Sequence, residues 1–186
     1  MKKILWIDVE TSGIDWNKNC ILQLSALVEI ERKVVEEYNA FMKPFKGDTI
    51  SKEALNVTGI TVDQLKTFRN PVEVLSEFKQ MMEKYVNPYD KMDKFILGGK
   101  NFNFDRNFIK RWFEKCEDEY FWSWFHFPYL DIEQELARVM LFETDLVLPN
   151  YQLKTVCELL DIQLDAHNSL SDIKATREIF WMINGE

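Results

Sequence analysis

Asp8 and Glu10 stand two residues apart at the end of an apolar run, Ile4 to Ile7. On an extended strand that spacing sends both carboxylates off one face. It also leaves them at the carboxyl edge of the strand, where open α/β sheets gather ligands. Two acids there can hold a cation; they are equally what a strand does on reaching solvent. Asp105 precedes Phe108, Ile109, Trp112 and Phe113 by three, four, seven and eight residues, so it lies on the apolar side of its own helix. An acid that only complements the helix dipole would sit more naturally on the wet face. Asp172 repeats the pattern with Thr176, Ile179, Phe180 and Ile183 at four, seven, eight and eleven. Here Ser169-x-x-Asp172 also fits a capping box, and on the helix alone that is the simpler role. His167, one of two histidines in the chain, lies five residues before Asp172.

Four carboxylates with no cysteine or histidine cluster suit a hard, oxygen-preferring ion such as Mg²⁺ or Mn²⁺. Two such ions about 4 Å apart activate water on one side of a phosphodiester and stabilise the leaving oxygen on the other. A histidine titrating near neutrality suits the removal of that water's proton. Asp8, Glu10, Asp105, Asp172 and His167 make up that set of four acids and one base.

The elements that must position them can be read from periodicity. Ile4 to Ile7 reads as a strand buried on both faces. Leu22 to Ile30 alternates apolar residues with Gln23, Ser25 and Glu29, and Glu31-Arg32-Lys33 turns it into a second strand, Val34 to Met42. Ser51 to Asn56 and Val62 to Lys66 read as short helices around Gly59, and Pro71 opens a longer one to about Tyr85. Phe95-Ile96-Leu97 reads as a short strand ended by Gly98-Gly99. Helices are expected over Phe102 to Cys116, Leu130 to Met140, Tyr151 to Leu160 and Leu170 to Ile183. Early strands followed by helices around a further strand give an α/β fold with a mixed sheet.

The 186 residues suit one domain, residues 1–186. No apolar run has the length of a membrane span, and the segment before Asp8 is too short for a signal peptide. Three scattered cysteines, Cys20, Cys116 and Cys157, argue against a disulfide scaffold and a zinc site and fit an intracellular protein. The net charge of −8 excludes the basic footprint of a tight, salt-driven nucleic-acid binder. It does not exclude an enzyme whose cations meet the phosphates. The aromatic run Tyr120 to Tyr129 reads as packing under a helix, with base stacking or partner docking as alternatives. Lys100, Arg106, Lys110, Arg111, Lys174 and Arg177 lie near the acids in sequence and are candidates for phosphate contact or simply solvated.

These residues resemble the DEDD exonucleases of the ribonuclease H-like fold, in the branch with a histidine base. The first motif, Asp-x-Glu-Thr-x-Gly, reads Asp8-Val9-Glu10-Thr11-Ser12-Gly13. The second, Gly-His-Asn-x-x-Phe-Asp, reads Gly99-Lys100-Asn101-Phe102-Asn103-Phe104-Asp105. The third reads His167-Asn168-Ser169-Leu170-Ser171-Asp172. Thr58-Gly59-Ile60-Thr61 resembles the family's His-Gly-Ile-Thr segment, and Leu130-Asp131-Ile132 its Val-Asp-Thr. The resemblance implies a 3′→5′ exonuclease on a ribonuclease H-like mixed sheet flanked by helices, using two divalent cations. Asp8, Glu10 and Asp172 would hold one ion, Asp8 and Asp105 would serve the second, and His167 would be the general base. Main-chain groups at Thr11 and Gly13 would take the 3′-hydroxyl, Val57, Thr58 and Phe104 would wall in the terminal nucleotide, and Asn101 would steady the site. Lys100 and Thr58 depart from the family's histidines, which leaves the acids and the base intact.

The resemblance implies nucleic-acid 3′ ends as partner, DNA ahead of RNA, with a polymerase or other replication or repair protein as a further partner. Short RNA is the alternative substrate, although the family's oligoribonucleases carry Glu-Met where this chain has Glu10-Thr11. A non-catalytic adaptor is the third possibility, and the intact acids argue against it. The last helix runs nearly to the end of the sequence, so no appended polymerase domain is expected.

Overall fold

The computed structural model describes residues 2–142, 148–165 and 168–185. Among them, five strands form one sheet in the order β3-β2-β1-β4-β5. They are β1 (Lys3–Thr11), β2 (Ile21–Ile30), β3 (Lys33–Phe41), β4 (Phe95–Gly99) and β5 (Phe125–Asp131). β1 pairs antiparallel with β2 and parallel with β4, β2 pairs antiparallel with β3, and β4 parallel with β5. The β2–β3 hairpin turns through Glu31 and Arg32, both at positive φ (47° and 69°), as a two-residue turn matched to strand twist requires.

Alternation along β1 assigns its two faces. Leu5, Ile7 and Val9, with Leu24, Ala26 and Val28 of β2, share a core with α3 (Pro71–Glu83) and α4 (Phe102–Lys115). Ile4, Trp6 and Leu27 pack on the opposite side against α6 (Ile132–Phe142), α7 (Leu153–Leu160) and α8 (Ser169–Ile183). The short helices α1 (Lys52–Thr58) and α2 (Val62–Thr67) close one end, and α5 (Phe121–Trp124) leads into β5. Among the described residues, no helix is long and apolar enough to cross a membrane.

The structure adds to three readings. The polar positions of β2 do not face water: Gln23, Ser25 and Glu29 are buried, Ser25 and Glu29 beneath α8 and Gln23 against Asn39 of β3. Ser25 Oγ meets Ser169 Oγ at 2.6 Å. Glu29 Oε2 accepts from Trp6 Nε1 and Trp181 Nε1 at 3.1 Å each, and from Arg177 Nε. The aromatic run supplies the fifth strand as well as core, burying Phe121, Trp124 and Phe125 while Phe127 stays 73% exposed. Gly98 and Gly99 are the last two residues of β4, so the strand runs two residues past Leu97 and then ends. A Cβ on Gly99 would stand 2.9 Å from the Ile7 carbonyl oxygen and 2.4 Å from the Phe102 ring, so the strand passes there only as glycine.

Candidate active site

Asp8 and Glu10 continue the face of β1 that carries Ile4 and Trp6, opposite Ser25 and Gln23 of β2. The Ser25–Ser169 contact fixes the start of α8 over that face. One turn on, Asp172 joins them: Asp8, Glu10 and Asp172 each offer a carboxylate oxygen within 4.8 Å of the others. The capping box expected at Ser169 does not form. Asn168 is the N-cap, its Oδ1 accepting from Leu170 N at 3.2 Å and Ser171 N at 3.4 Å. Asp172 stands in the first turn of that helix, on the side of the cluster. Asn168→Ala should lower stability by about 1 kcal/mol, a fall of about 2–4 °C in Tm on thermal melting.

Asp105 comes to the site from the other side of the sheet. It is buried in the first turn of α4, and its Oδ1 accepts from Val9 N at 3.2 Å, between the two acids of β1. The loop that delivers it is held by Asp131 at the end of β5. Asp131 Oδ1 accepts from Asn101 N at 3.0 Å, and Oδ2 from Phe102 N at 2.9 Å. Asn101 itself adopts left-handed backbone (φ 49°) and makes no side-chain cap, so Asp131 does that work from a neighbouring strand. The sequence marked Asp131 only as a family echo. The physical signal was an acid closing a strand one residue before a helix.

Burial and mutual repulsion drive the electrostatics. Burial first, then the charges of Asp105, Glu10 and Asp172, pushes the Asp8 carboxyl well above the usual range; Lys100 pulls it back in part. Glu10 is pushed up to about 7, by burial and then by Asp172. Burial also raises Asp105, against the N–H groups of Val9 and of Asp105 itself, which favour its charged form. Lys100 is committed to Glu133, 2.6 Å away. All the donors are carboxylate oxygens and their charge is under-compensated, so this set fits hard divalent cations.

Beside the acids opens a cleft of about 620 Å³, lined by Glu10 and by the expected Thr11, Gly13, Val57, Thr58 and Phe104. Asn101 lies outside that lining, and His167 lies outside the described residues. Sequence reading missed the framework of this cleft, the buried Asn19. Its Oδ1 accepts from Asp15 N at 2.9 Å, and its Nδ2 donates to the Thr49 carbonyl at 2.8 Å. A Cβ on Gly13 would stand 2.5 Å from Asn19 Oδ1, which explains glycine at that place.

Residues 5–180 match the family model RNase_T, described as Exonuclease. The PolC-type DNA polymerase III of Thermotoga maritima is 30% identical over 175 residues, 94% of this chain and 11% of that protein. The PolC-type enzyme of Oceanobacillus iheyensis is 29% identical over 177 residues, again 11% of its length. The chain therefore spans about a tenth of these curated relatives. Among solved structures, E. coli Exonuclease I in complex with a dT13 oligonucleotide superposes with a TM-score of 0.81 at 19% identity, over 100% of this chain and 41% of that one. Exonuclease I from Methylocaldum szegediense gives 0.79 at 19%, over 96% and 39%. The mixed sheet flanked by helices is thus the ribonuclease H-like fold.

Proposed function

Because the chain belongs to the exonuclease family, we propose that it releases nucleoside 5′-monophosphates from the 3′ ends of single-stranded DNA, using two divalent cations, Mg²⁺ or Mn²⁺. The observation that carries this reading is the meeting of Asp8, Glu10 and Asp172 within 4.8 Å, beside a cleft with room for a nucleotide.

Asp8, Glu10 and Asp172 would hold one cation, and Asp8 with Asp105 the other. When bound, the cations neutralise phosphodiester charge and make water acidic enough to lose a proton near neutral pH. His167, five residues before Asp172 in sequence, is the group to take that proton. Main-chain groups of Thr11 and Gly13 receive the terminal 3′-hydroxyl, while Val57, Thr58 and Phe104 enclose the terminal nucleotide. Asn101 and Asp131 keep the turn before Asp105 in place. The single-strand preference is supported by the likeness to Exonuclease I bound to dT13 and dA16 oligonucleotides. Kinship with PolC-type polymerases favours DNA over RNA and a polymerase as partner.

The test offers 3′-labelled DNA and RNA oligomers with Mn²⁺ or Mg²⁺ to the protein and to Asp8→Ala and His167→Ala. Both variants should lose nearly all activity, and DNA should be degraded faster than RNA. Undiminished degradation by both would overturn the mechanism, and a faster rate on a di-ribonucleotide would move the substrate to short RNA.

A further inference from the structure

The chain carries −8 net charge, yet a nuclease must hold the polyanion upstream of the bond it cuts. Six cations lie near the site in sequence, and five are already engaged with carboxylates. Lys100 pairs with Glu133, Lys110 and Arg111 with Glu114, Lys174 with Glu37, and Arg177 with Glu29. Arg106 differs. Among the described residues no carboxylate is within ion-pair distance of it; its Nη2 donates to the Asn103 amide oxygen at 2.6 Å. Its guanidinium lies over the Tyr129 ring, 4.7 Å from the centroid, and that ring packs in turn on Phe102 at 5.6 Å.

This is how a guanidinium is prepared for an oxyanion. Stacking and one neutral hydrogen bond fix the plane of the fork without cancelling its charge, leaving further N–H donors directed away from Asn103. The position follows from the fold. Arg106 is the residue after Asp105 in the first turn of α4, and Tyr129 is two residues before Asp131, the side chain that anchors this turn. Arg106 therefore stands on the β5 flank of the acids, while the nucleotide-sized cleft lies on the side of Thr11, Val57 and Thr58.

From this placement we infer that Arg106, stacked on Tyr129, binds a backbone phosphate of the DNA strand upstream of the scissile one. The inference rests on the nuclease reading above. Arg106 is a substrate-positioning group for longer strands and takes no part in bond cleavage.

The experiment compares Arg106→Ala and Arg106→Gln with the unaltered protein on two substrates. One is a single-stranded oligothymidylate; the other is the 5′-p-nitrophenyl ester of thymidine monophosphate, whose only phosphate is the scissile one. On the oligonucleotide, KM should rise about tenfold or more with kcat little changed, as for loss of one charge-assisted contact. The slope of log affinity against log salt should shrink by about 0.7, the amount for one phosphate contact on a single strand. Ester hydrolysis should stay within about twofold, an allowance for the scatter of surface substitutions. Equal losses on both substrates would overturn the inference, since Arg106 would then merely support Asp105. So would an unchanged oligonucleotide KM and salt slope. If the unaltered protein hydrolyses neither substrate, the nuclease reading itself falls, and the inference with it.

Discussion

Asp8→Asn is expected to reduce turnover at least about a thousandfold, the scale on which lost cation stabilisation of several kcal/mol appears in rate. The same substitution should raise the Tm of the metal-free protein. Asp8 is pushed far above the ordinary carboxylate range by burial and by Asp105, Glu10 and Asp172, so without a cation its charge opposes folding. Activity and stability should therefore move in opposite directions, which no simple folding defect can imitate. Scanning calorimetry with and without Mn²⁺ reads both halves: Mn²⁺ should stabilise the unaltered protein strongly and Asp8→Asn little. A variant that melted lower than the parent without metal would contradict this account.

The sign of the pH dependence follows from the same groups. An acid whose folded pKa is raised binds more protons when folded than when unfolded, so its contribution to stability is full below the unfolded pKa and is lost as pH rises through the folded one. For Glu10 that window runs from 4.5 to about 7. Metal-free protein should lose stability on the order of 2 kcal/mol across it, at ~1.36 kcal/mol per unit and less what water in the open cleft screens. With Mn²⁺ present the trend should reverse, because protons and cations compete for the same oxygens. Urea titrations at pH 5 and pH 8 would check both slopes.

The second large effect lies away from the cleft. Glu29 is 1% exposed, and one of its oxygens receives Trp6, Trp181 and Arg177. Glu29→Ala strands a guanidinium and two indole N–H groups, and breaking such a buried pair costs about 3–5 kcal/mol. For a chain of this size that is a fall of roughly ten degrees in Tm. Mn²⁺ affinity should weaken as well, because Arg177 and Trp181 belong to the helix that presents Asp172. Denaturant unfolding and Mn²⁺ titration measure the two effects, and a loss below ~1 kcal/mol would show that Glu29 does not hold α8.

How much of this was legible in sequence depended on whether the cause was local. Asp105 and Asp172 announced themselves by standing on the apolar stripes of their own helices, and three- and four-residue spacing carries that information. Asp8 and Glu10 needed partners to be distinguished from a solvated strand end. The strand at Phe125–Asp131 was hidden because aromatic residues satisfy a core helix and a core strand alike. The alternation in β2 left burial undecided for a related reason. Period two reports which residues share a face, while the wetness of Ser25 and Glu29 was decided by Ser169 and Arg177, more than a hundred residues later. Asn168 took the cap from Ser169 because Ser169 was engaged by Ser25, a contact no local window contains.

The placement of Asp172 on α8 also bears on synthesis. A growing chain acquires Asp8 and Glu10 first and Asp105 between them and Asp172, so the cluster lacks its third carboxylate until residue 172 has left the ribosome. Even then α8 must dock across β2 before that acid reaches the others. At about 5–20 residues per second, roughly ten to thirty seconds separate the first acid from the last. Throughout that interval the nascent chain holds an incomplete cluster, so the cation binding proposed for it must wait until the sheet has been covered.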